Sequence, residues 1–389
     1  MKRNILQHDN CYGCGVCTAV CPIHLIDSKL NTDGFYQPVI SDIENCVECG
    51  LCLKVCSVNN SITNNAICGF ATWSLDSAVR RKSSSGGTGF EIAHALVNDG
   101  YKFLGVRYNA TKGRAEHYVA NNISELIPSM GSKYIQSYTD EAFAKIKKGE
   151  KYVVTGTPCQ IAGIRQLVKQ KEMETDVLLV DFFCHGVPSL NIWKKYIKWA
   201  EKIVGPITYV SWRNKRNGWH DSWAMSIDGE ETDVATIDRH GSNMLIGERK
   251  SFINIKRSEG DIFYKFFLGD MCFNKACYDK CQFKMERSMA DIRLGDLWGT
   301  TYANNDLGVT GVLAFTQQGV DILKRCNIEM KSEPVSVVME GQMTQNPQKP
   351  YYYGFLMMLL RTKLRLKTIY RVVQVLRFRT ILKYKLSAS

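Results

Sequence analysis

The middle of the chain alternates short apolar runs with apolar residues at helical spacing. The β-forming runs "KYVV" (151–154) and "DVLLV" (176–180) enclose "CQIAGIRQLVKQ" (159–170), which has the period of an amphipathic helix. Upstream, "ICGFATWSL" is strand-like, "SSSGGTG" (83–89) opens another helix, and "YKFLGVRYN" with "RAEHYVAN" predicts a strand pair. Because strand–helix–strand order brings two strands into parallel pairing, the pattern predicts a mixed α/β core.

Three regions follow from these patterns. The Asn-rich stretch "NNSITNNAI" (59–67) predicts a domain boundary. A further helix is predicted at about 139–148, and residues 206–228 predict more strands separated by turns. We therefore expect an α+β and α/β organisation, with an N-terminal domain over residues 1–62, a mixed α/β core over residues 66–340 and a helical tail over residues 345–389.

The length and composition limit what the fifteen cysteines can do. A chain of 389 residues buries enough core to fold without disulfides. The longest apolar run, "FLMMLL", is too short to span a bilayer, and the first residues lack the apolar stretch of a signal peptide. These features predict a cytoplasmic protein, in which cysteines serve as metal ligands, redox groups or small buried side chains.

The positive charge is concentrated in the tail. From Arg361 to Ser389 there are nine Lys or Arg residues and no Asp or Glu, out of a net charge of +12, so no nucleic-acid partner is expected for the rest of the chain. Apolar residues near helical spacing predict a basic amphipathic helix: Leu360, Leu364, Ile369, Val372, Val373, Leu376 and Leu382. Such a helix packs on its own domain, lies peripherally on the inner face of a membrane, or binds an acidic protein.

Two cysteine runs dominate the first sixty residues. The first has the spacing C-x2-C-x2-C-x3-C-P and the second repeats it up to the proline, which is Ser57 in this chain. Three thiolates at two-residue gaps surround one face of an iron–sulfur cube, and the fourth points to a second cube. We therefore predict two 4Fe–4S clusters, with zinc as the alternative. The predicted ligand sets are Cys11, Cys14, Cys17 and Cys56 for one cluster, and Cys46, Cys49, Cys52 and Cys21 for the other.

A second group of cysteines falls at the ends of predicted strands. Cys159 follows one strand of the strand–helix–strand unit and Cys184 follows the next, so the two thiols share one edge of the sheet if these strands are neighbours. Cys277 and Cys281 come later, just before "ADIRLGDLWG". Four such cysteines suit a third 4Fe–4S cluster, but buried inert thiols, or a nucleophile at Cys159, remain alternatives.

Six motifs in order resemble the coenzyme F420 hydrogenase/dehydrogenase beta-subunit family over roughly residues 66–340. They are "SSSGGTGFEIAHAL", "GSKYIQS", "GTPCQIAGIR", "FFCHGVPS", "WRNKRNGW" and the cysteine pair before "ADIRLGDLWG". The N-terminal domain resembles a bacterial two-cluster ferredoxin. The family resemblance implies that Cys159, Cys184, Cys277 and Cys281 bind a 4Fe–4S cluster. The family usually has C-x2-C where this chain has C-x3-C, so Cys272 is an alternative to Cys277.

The resemblance also implies a bound FAD. The "SSSGGTG" turn opens a helix whose positive end suits a pyrophosphate, and "GSKYIQS" adds a glycine and a cation. The candidate FAD-binding residues are Ser84, Ser85, Gly86, Gly87, Thr88, Gly131, Lys133 and Tyr134. His185 and Asp296 are candidate proton donors, and Trp212, Arg213 and Trp219 are candidate cleft residues, although a structural role explains each of them as well. No catalytic residue is assigned.

Family members pass electrons between ferredoxin-type centres and an organic acceptor, such as a deazaflavin or a chlorophyll-type ring. Bacterial relatives with this fused architecture occur among polysaccharide-biosynthesis proteins. We therefore expect an iron–sulfur flavoprotein oxidoreductase that takes electrons from a redox donor protein or a reduced coenzyme and reduces a small molecule, with a sugar intermediate as one candidate acceptor. The alternative is a subunit that only relays electrons to a separate catalytic partner.

Overall fold

The computed structural model describes residues 4–7, 10–60, 64–215, 218–220, 225–230, 252–254, 261–284 and 286–387. Side chains are described as far as residue 377 at the C-terminal end, and those of residue 7 and residues 252–254 are not described. Parts of the predicted strand region 206–228, and the side chain of Leu382, therefore lie outside the described residues.

The described strands form three sheets, of two, three and nine strands. The strands are β1 (Ile26–Leu30), β2 (Tyr36–Ile40), β3 (Cys68–Ser74), β4 (Lys102–Asn109), β5 (Arg114–Ala120), β6 (Ser137–Tyr138), β7 (Tyr152–Thr155), β8 (Val177–Phe182), β9 (Ile207–Ser211), β10 (Met225–Gly229), β11 (Phe252–Asn254), β12 (Ile292–Asp296), β13 (Thr310–Ala314) and β14 (Ile328–Glu333). The large sheet has the order β14-β3-β13-β12-β8-β7-β4-β5-β6, and the small sheets are β1-β2 and β11-β10-β9.

The helices of the described residues lie between these strands and at the C-terminal end. They are α1 (Val16–Val20), α2 (Leu51–Lys54), α3 (Ser77–Lys82), α4 (Thr88–Asn98), α5 (Asp140–Phe143), α6 (Pro158–Gln170), α7 (Leu190–Val204), α8 (Ile262–Phe267), α9 (Lys275–Asp279), α10 (Gln317–Arg325), α11 (Val335–Met339), α12 (Tyr353–Arg361) and α13 (Leu366–Ser387). Short 3-10 helices cover Ile5–Gln7, Ser124–Ser129 and Thr300–Tyr302. None of the described helices combines the length and apolar character needed to cross a bilayer.

The middle of the large sheet is parallel, as the strand–helix–strand pattern predicts. Strands β12, β8, β7 and β4 run in the same direction, whereas β5, β13, β3 and β14 enter as antiparallel neighbours. β7 and β8 carry near-continuous buried apolar residues because helices cover both faces of the sheet. Tyr152 and Val154 pack against α6, while Val153 and Leu178 pack against α4 and α10. The mixed α/β core is confirmed.

The prediction of a helix at about 139–148 is correct for the first turn and wrong for the residues after it. Helix α5 ends at Phe143. The amides of Lys145 and Ile146 still bond to the carbonyls three residues earlier, and the phenol of Tyr152 binds the backbone groups that come next. The Tyr152 hydroxyl donates to the carbonyl of Lys145 (2.7 Å) and accepts from the amide of Lys147 (3.1 Å). A tertiary contact from β7 therefore takes the backbone groups that would continue the helix.

The tail consists of two helices where the sequence pattern predicts one. Helix α12 ends at Arg361 and α13 begins at Leu366. Thr362 closes the turn between them, since its hydroxyl donates to the carbonyl of Leu359 (2.7 Å) and accepts from the amide of Leu364 (3.2 Å). Leu360, Ile369 and Val373 are buried against the domain, so these predicted apolar positions face inward.

A buried ion pair joins β8 to β12 in the parallel part of the sheet. The guanidinium of Arg293 donates to both carboxylate oxygens of Asp181 (2.7 Å each), and neither side chain is exposed to solvent. Ser288 donates a further hydrogen bond to the same carboxylate (2.5 Å). Because both charges are desolvated, each depends on the other for compensation.

We expect Asp181→Ala to lower the thermal denaturation midpoint by about 10 °C, because removing one partner of a buried ion pair costs roughly 3–5 kcal/mol. Lys148→Ala is the matched control, since it breaks the solvent-exposed pair between Lys148 and Glu172 and should cost less than about 1 kcal/mol. Calorimetry on the full-length protein measures both. Equal midpoints for the two variants would show that the buried ion pair contributes no more to stability than the exposed one.

Candidate metal centres

The structure brings the first predicted cysteine set together around one cavity. Cys11, Cys14, Cys17 and Cys56 all line one cavity between α1 and the residues that follow α2. The amide of Gly13 donates to the Cys11 sulfur (3.2 Å), and the Ser57 hydroxyl lies 3.8 Å from the Cys14 sulfur. Hydrogen-bond donors directed at a sulfur stabilise its thiolate form and influence the properties of a metal that the thiolate binds.

The second set lines a separate cavity. Its cysteines are Cys21, Cys46, Cys49 and Cys52. The amide of Leu25 donates to the Cys21 sulfur (3.4 Å), and Cys49 is exposed to solvent. The last cysteine of each run therefore lies at the cavity of the other run, which is the exchange that two-cluster spacing predicts.

A left-handed glycine starts each short helix that carries these cysteines. Gly15 (φ 75°) precedes α1 and Gly50 (φ 72°) precedes α2, so the chain turns sharply after the second cysteine of each run. Space is limited as well, because a Cβ on Gly15 would stand 1.9 Å from the Thr139 hydroxyl oxygen. The glycines serve the turn and its packing on the core, in addition to the approach of amides to sulfur.

Burial makes these thiols hard to ionise on their own. Burial, together with the charges of neighbouring cysteines, raises the pKa of Cys11 to about 12 and that of Cys56 to about 11. The pKa of Cys17 lies well above its usual value for the same reasons, with Cys14, Cys11 and Cys56 as its charged neighbours. Thiolates in this arrangement require a cationic group between them, so the residues fit a bound metal cluster.

The structure contains no disulfide among its cysteines. All fifteen lie in the described residues and all are free. Among the described residues, no group of three His, Cys, Asp or Glu side chains is close enough to hold one metal ion.

A third group of cysteines meets at the carboxyl edge of the parallel strands. Cys159 lies in the first turn of α6, one step past β7, and Cys184 follows β8, which pairs with β7 in parallel. The position of Cys159 is set by the capping box of α6, in which Thr157 and Gln160 bond to each other's backbone. Cys277 lies on α9 and Cys281 just after it.

Electrostatic coupling shows that these four thiols are neighbours. After burial, the charges that raise the pKa of Cys159 include those of Cys184 and Cys277, and Cys277 is raised to about 12 by burial and then by Cys184 and Cys281. Lys284 opposes the effect of burial on Cys184, and its ammonium donates to the Cys184 carbonyl (2.5 Å). We call Cys159, Cys184, Cys277 and Cys281 the core set.

Cys272, the alternative to Cys277, has different neighbours. It is fully buried among aromatic residues, and burial raises its pKa, with the amide of Ser189 and the carboxylate of Asp270 as its polar surroundings. The cysteine charges that act on Cys159, Cys184 and Cys277 come from Cys14 and from other members of the core set, and Cys272 is not among the causes of their pKa shifts. This electrostatic coupling groups Cys277, rather than Cys272, with the other three.

The N-terminal segment packs directly on the core set. Gly163 of α6 lies so close to α1 that a Cβ on it would stand 2.8 Å from a methyl carbon of Val16. The Tyr12 hydroxyl donates to the carbonyl of Lys280 (2.5 Å), and its ring lies edge-on to Phe283. Cys14 is the strongest charged neighbour of Cys159. The first cysteine set thus borders the core set.

The predicted FAD-binding residues lie on two loops that meet at Ser84. The amide of Ser132, next to Gly131, donates to the Ser84 hydroxyl (2.9 Å). The rest of the Ser/Gly turn is anchored to the sheet, since Ser85 donates to the carbonyl of Val309 (2.8 Å). The remaining bonds of the turn are from the amide of Gly86 to the hydroxyl of Thr310 (2.9 Å) and between the hydroxyls of Thr88 and Thr72 (2.6 Å). Gly87 then precedes α4 in a left-handed conformation, without a side-chain cap.

Lys133 and Tyr134 face different surroundings. The half-buried ammonium of Lys133 donates to the carbonyls of Pro128, Ser129 and Met130 at 2.7–3.1 Å, and burial lowers its pKa to about 7. The ring of Tyr134 lies 5.0 Å from that of Phe267, and its pKa is raised by burial against the opposing effect of Arg213. In this structure Lys133 binds the carbonyls at the C-terminal end of the 3-10 helix Ser124–Ser129.

The candidate proton donors are both held by partners. Asp296 forms an ion pair with the buried Arg213 and accepts a hydrogen bond from the Trp219 indole (2.8 Å). His185 lies 2.6 Å from a carboxylate oxygen of Asp270 and 3.0 Å from the sulfur of Met343. Arg213 and Trp219, together with Trp212, are buried and form part of the core.

Sequence reasoning did not single out Lys215. Its ammonium donates to the carbonyls of Arg80, Leu307 and Ser85, and so ties the Ser/Gly turn to two other loops. Burial lowers the pKa of Lys215 to about 7, although Asp296 opposes this shift. The residue lies inside the quoted motif "WRNKRNGW", but a lysine between an asparagine and an arginine gives no local sign that it is buried.

The exchange of Cys21 and Cys56 between the two cavities can be tested by counting iron. Cys11→Ala and Cys56→Ala should each lose about four of the bound irons, and the double variant should lose no more than either one, because both remove the same cluster. Cys11→Ala combined with Cys21→Ala should lose about eight. Iron per chain is measured on anaerobically reconstituted full-length protein. Additive losses for Cys11 and Cys56 would contradict the exchange.

Comparisons with known proteins match two parts of the chain. Residues 149–336 match the family model for the C terminus of the coenzyme F420 hydrogenase/dehydrogenase beta subunit, and residues 10–61 match the 4Fe-4S dicluster domain. A chain from a structure of the F420-reducing NiFe hydrogenase complex of Methanosarcina barkeri is similar at 14% identity, over 80% of this chain and 92% of that one, with a TM-score of 0.46. A comparison with curated proteins gives no match. Residues 149–336 therefore form a domain of the coenzyme F420 hydrogenase/dehydrogenase beta-subunit family, and residues 10–61 form a 4Fe–4S dicluster domain.

Proposed function

We propose that the chain is an iron–sulfur flavoprotein oxidoreductase that passes electrons from a ferredoxin-type donor or a reduced deazaflavin to an organic acceptor. Its family makes it an iron–sulfur electron-transfer subunit, and the flavin and the acceptor are our extension. The observation that carries the proposal is the succession of three cysteine sets. It runs from the exposed Cys49, through the first set, to Cys184 at the carboxyl edge of the parallel sheet.

Neighbouring charges support this order of the three sets. Cys52 of the second set acts on Cys17 and Cys56 of the first set, and Cys14 of the first set acts on Cys159 of the core set. Electrons entering at the solvent-exposed second set would therefore pass the first set before reaching the core. Iron–sulfur clusters supply one-electron chemistry when bound, and FAD exchanges electrons singly or in pairs.

The core set is our candidate for a third 4Fe–4S cluster. The pKa values of Cys159, Cys184 and Cys277 are raised, so thiolates at this site need a cationic group, as in the N-terminal segment. The chain supplies compensating groups at two of them. The Thr157 hydroxyl lies 3.2 Å from the Cys159 sulfur, and the positive charge of Lys284 favours the thiolate of Cys184. These contacts favour a ligand role over a nucleophile, for which a nearby base is needed.

The loops that meet at Ser84 are our candidate FAD site. Helix α4 begins behind Gly87 without a side-chain cap, so the positive end of an eleven-residue helix faces the turn and suits a pyrophosphate. Ser84, Ser85, Gly86, Gly87 and Thr88, with Gly131, Lys133 and Tyr134, would hold the cofactor. Lys215 positions this site because its ammonium binds the carbonyl of Ser85.

The acceptor follows from the resemblance alone. Bacterial relatives in polysaccharide biosynthesis suggest a sugar intermediate, and methanogen relatives suggest a deazaflavin. Arg213 and Asp296 neutralise each other in the described structure, so neither acts as a separate charge that would select the acceptor. We propose a sugar intermediate as the first acceptor class to test, and a deazaflavin as the second.

Cys159→Ala tests the third cluster. We expect iron to fall from about twelve to about eight per chain, because the variant removes one ligand of a buried cluster. Cys272→Ala is the matched control, since Cys272 is a buried cysteine outside the core set, and it should keep about twelve. Iron is measured after anaerobic reconstitution. Eight irons per chain in the unsubstituted protein would remove the third cluster from the proposal.

Reoxidation of the isolated, reduced protein tests the enzymatic role. The holoprotein is reduced anaerobically and its visible absorbance is followed after adding nucleotide-linked keto sugars or, separately, oxidised coenzyme F420. We expect one acceptor to reoxidise the protein without a partner, and Cys159→Ala to be slower by at least about tenfold, because the chain of cysteine sets is broken. Reoxidation that requires an added partner protein would instead establish the electron-relay alternative.

A further inference from the structure

The surface of the hairpin formed by α12 and α13 carries cations without acids. From Gly341 to Ser389 the chain has ten Lys or Arg residues and no Asp or Glu. Two of these cations are neutralised by acids elsewhere in the chain, Lys349 by Asp279 and Arg361 by Asp33. Lys363, Arg365, Lys367, Arg371 and Arg377 are exposed, and their own segment supplies no carboxylate, so this part of the hairpin repels cations and attracts anions.

The hairpin buries one side and exposes apolar residues on the other. Leu356, Leu360, Ile369 and Val373 pack into the domain core, so both helices turn the same side inward. On the outer side of α12, at helical spacing, Tyr351, Phe355 and Met358 are 65%, 42% and 49% exposed. The Tyr351 hydroxyl donates to the carbonyl of Leu376 (2.7 Å), which keeps the start of α12 beside α13.

The turn of the hairpin combines an exposed apolar tip with cations. Leu364 is 42% exposed between the exposed Lys363 and Arg365. Helix α7 holds this turn, since the Lys195 ammonium donates to the carbonyls of Thr362 (2.6 Å) and Leu364 (2.9 Å).

Further cations flank the turn. Lys367 and Arg371 are exposed on α13, and Lys194, Lys198 and Lys202 are exposed on α7. Burial, followed by the charge of Lys198, lowers the pKa of Lys195, so cations of α7 lie close to the turn. One acidic residue, the exposed Glu201, lies among these cations of α7. Cations thus surround the apolar tip on the hairpin and on α7.

We propose that this face of α7, α12 and the turn 362–365 binds the surface of an anionic lipid bilayer. Leu364, Phe355 and Met358 would enter the boundary between headgroups and acyl chains, and the surrounding cations would meet the lipid phosphates. A bilayer fits because it offers both an apolar phase and a continuous negative surface, which is the combination that exposed apolar residues among unpaired cations require. The inference is independent of the proposed redox function.

The apolar residues that would contact the bilayer in the structure differ from those that the sequence pattern predicts. A basic amphipathic helix at 361–389 would insert Ile369 and Val373, but both are buried in the protein core. Apart from Val375 of α13, which is 56% exposed, the exposed apolar residues of the hairpin lie on α12, just before it and on the turn. The proposal therefore predicts that substitutions at Leu364 and Phe355 matter, although neither belongs to the exposed face of α13.

Vesicle binding of the reconstituted full-length protein tests the proposal. Binding to phosphatidylcholine vesicles that contain phosphatidylglycerol should exceed binding to pure phosphatidylcholine vesicles and should weaken as salt is raised. Lys363→Glu combined with Arg371→Glu should lower the partition coefficient by more than about tenfold. Leu364→Asp should lower it by about tenfold, because an inserted leucine is replaced by a charge.

Ile67→Asp is the matched control, since Ile67 is 56% exposed but lies on a different part of the chain, and its binding should equal that of the unsubstituted protein. Iron per chain confirms that each variant is folded. Two results would overturn the proposal. One is equal binding to both kinds of vesicle or to neither, which would leave an acidic protein as the occupant. The other is normal binding by both the charge-reversed and the Leu364→Asp variants.

Discussion

The parallel pairing of β7 with β8 determines where the chemistry of this protein lies. It aligns Tyr152 with Val177 and so brings the ends of both strands to one edge of the sheet. The turn after β7 starts α6 and places Cys159 there, and the turn after β8 places Cys184 there. The buried pair of Asp181 and Arg293 then adds β12 to the same parallel group. Without this pairing the two thiols would have no common site.

The buried thiols connect the fold to its cofactors. Burial opposes ionisation at nearly every cysteine that lines the first cavity or belongs to the core set, and close neighbours increase the effect. Such an arrangement is unfavourable for bare thiolates and becomes favourable when iron supplies positive charge. The small amount of polar compensation, from Ser57, Thr157 and Lys284, is directed at individual sulfurs. Folding and cluster assembly are therefore expected to depend on each other.

Close packing holds the N-terminal segment on the core. Gly163 allows α6 to approach Val16, and Tyr12 extends over the loop of Cys281 by binding the carbonyl of Lys280. A side chain at Gly163 would separate the first cysteine set from the core set. At the far end of the chain, α13 uses its apolar residues for docking, so the charged face of the hairpin remains outside. Both ends thus pack on the α/β core while keeping one surface for a partner.

The sequence by itself determined the two N-terminal cysteine sets, the parallel strand–helix–strand unit and the family, because each is encoded by local spacing or by motifs in a fixed order. Tertiary structure decided the rest. It grouped Cys277 rather than Cys272 with Cys159, ended α5 early through the Tyr152 phenol, and buried Ile369 and Val373 against the core. It also assigned Lys215 and Asp296 to buried contacts with distant loops. These outcomes depend on contacts between residues far apart in the chain, and local periodicity carries no information about such contacts.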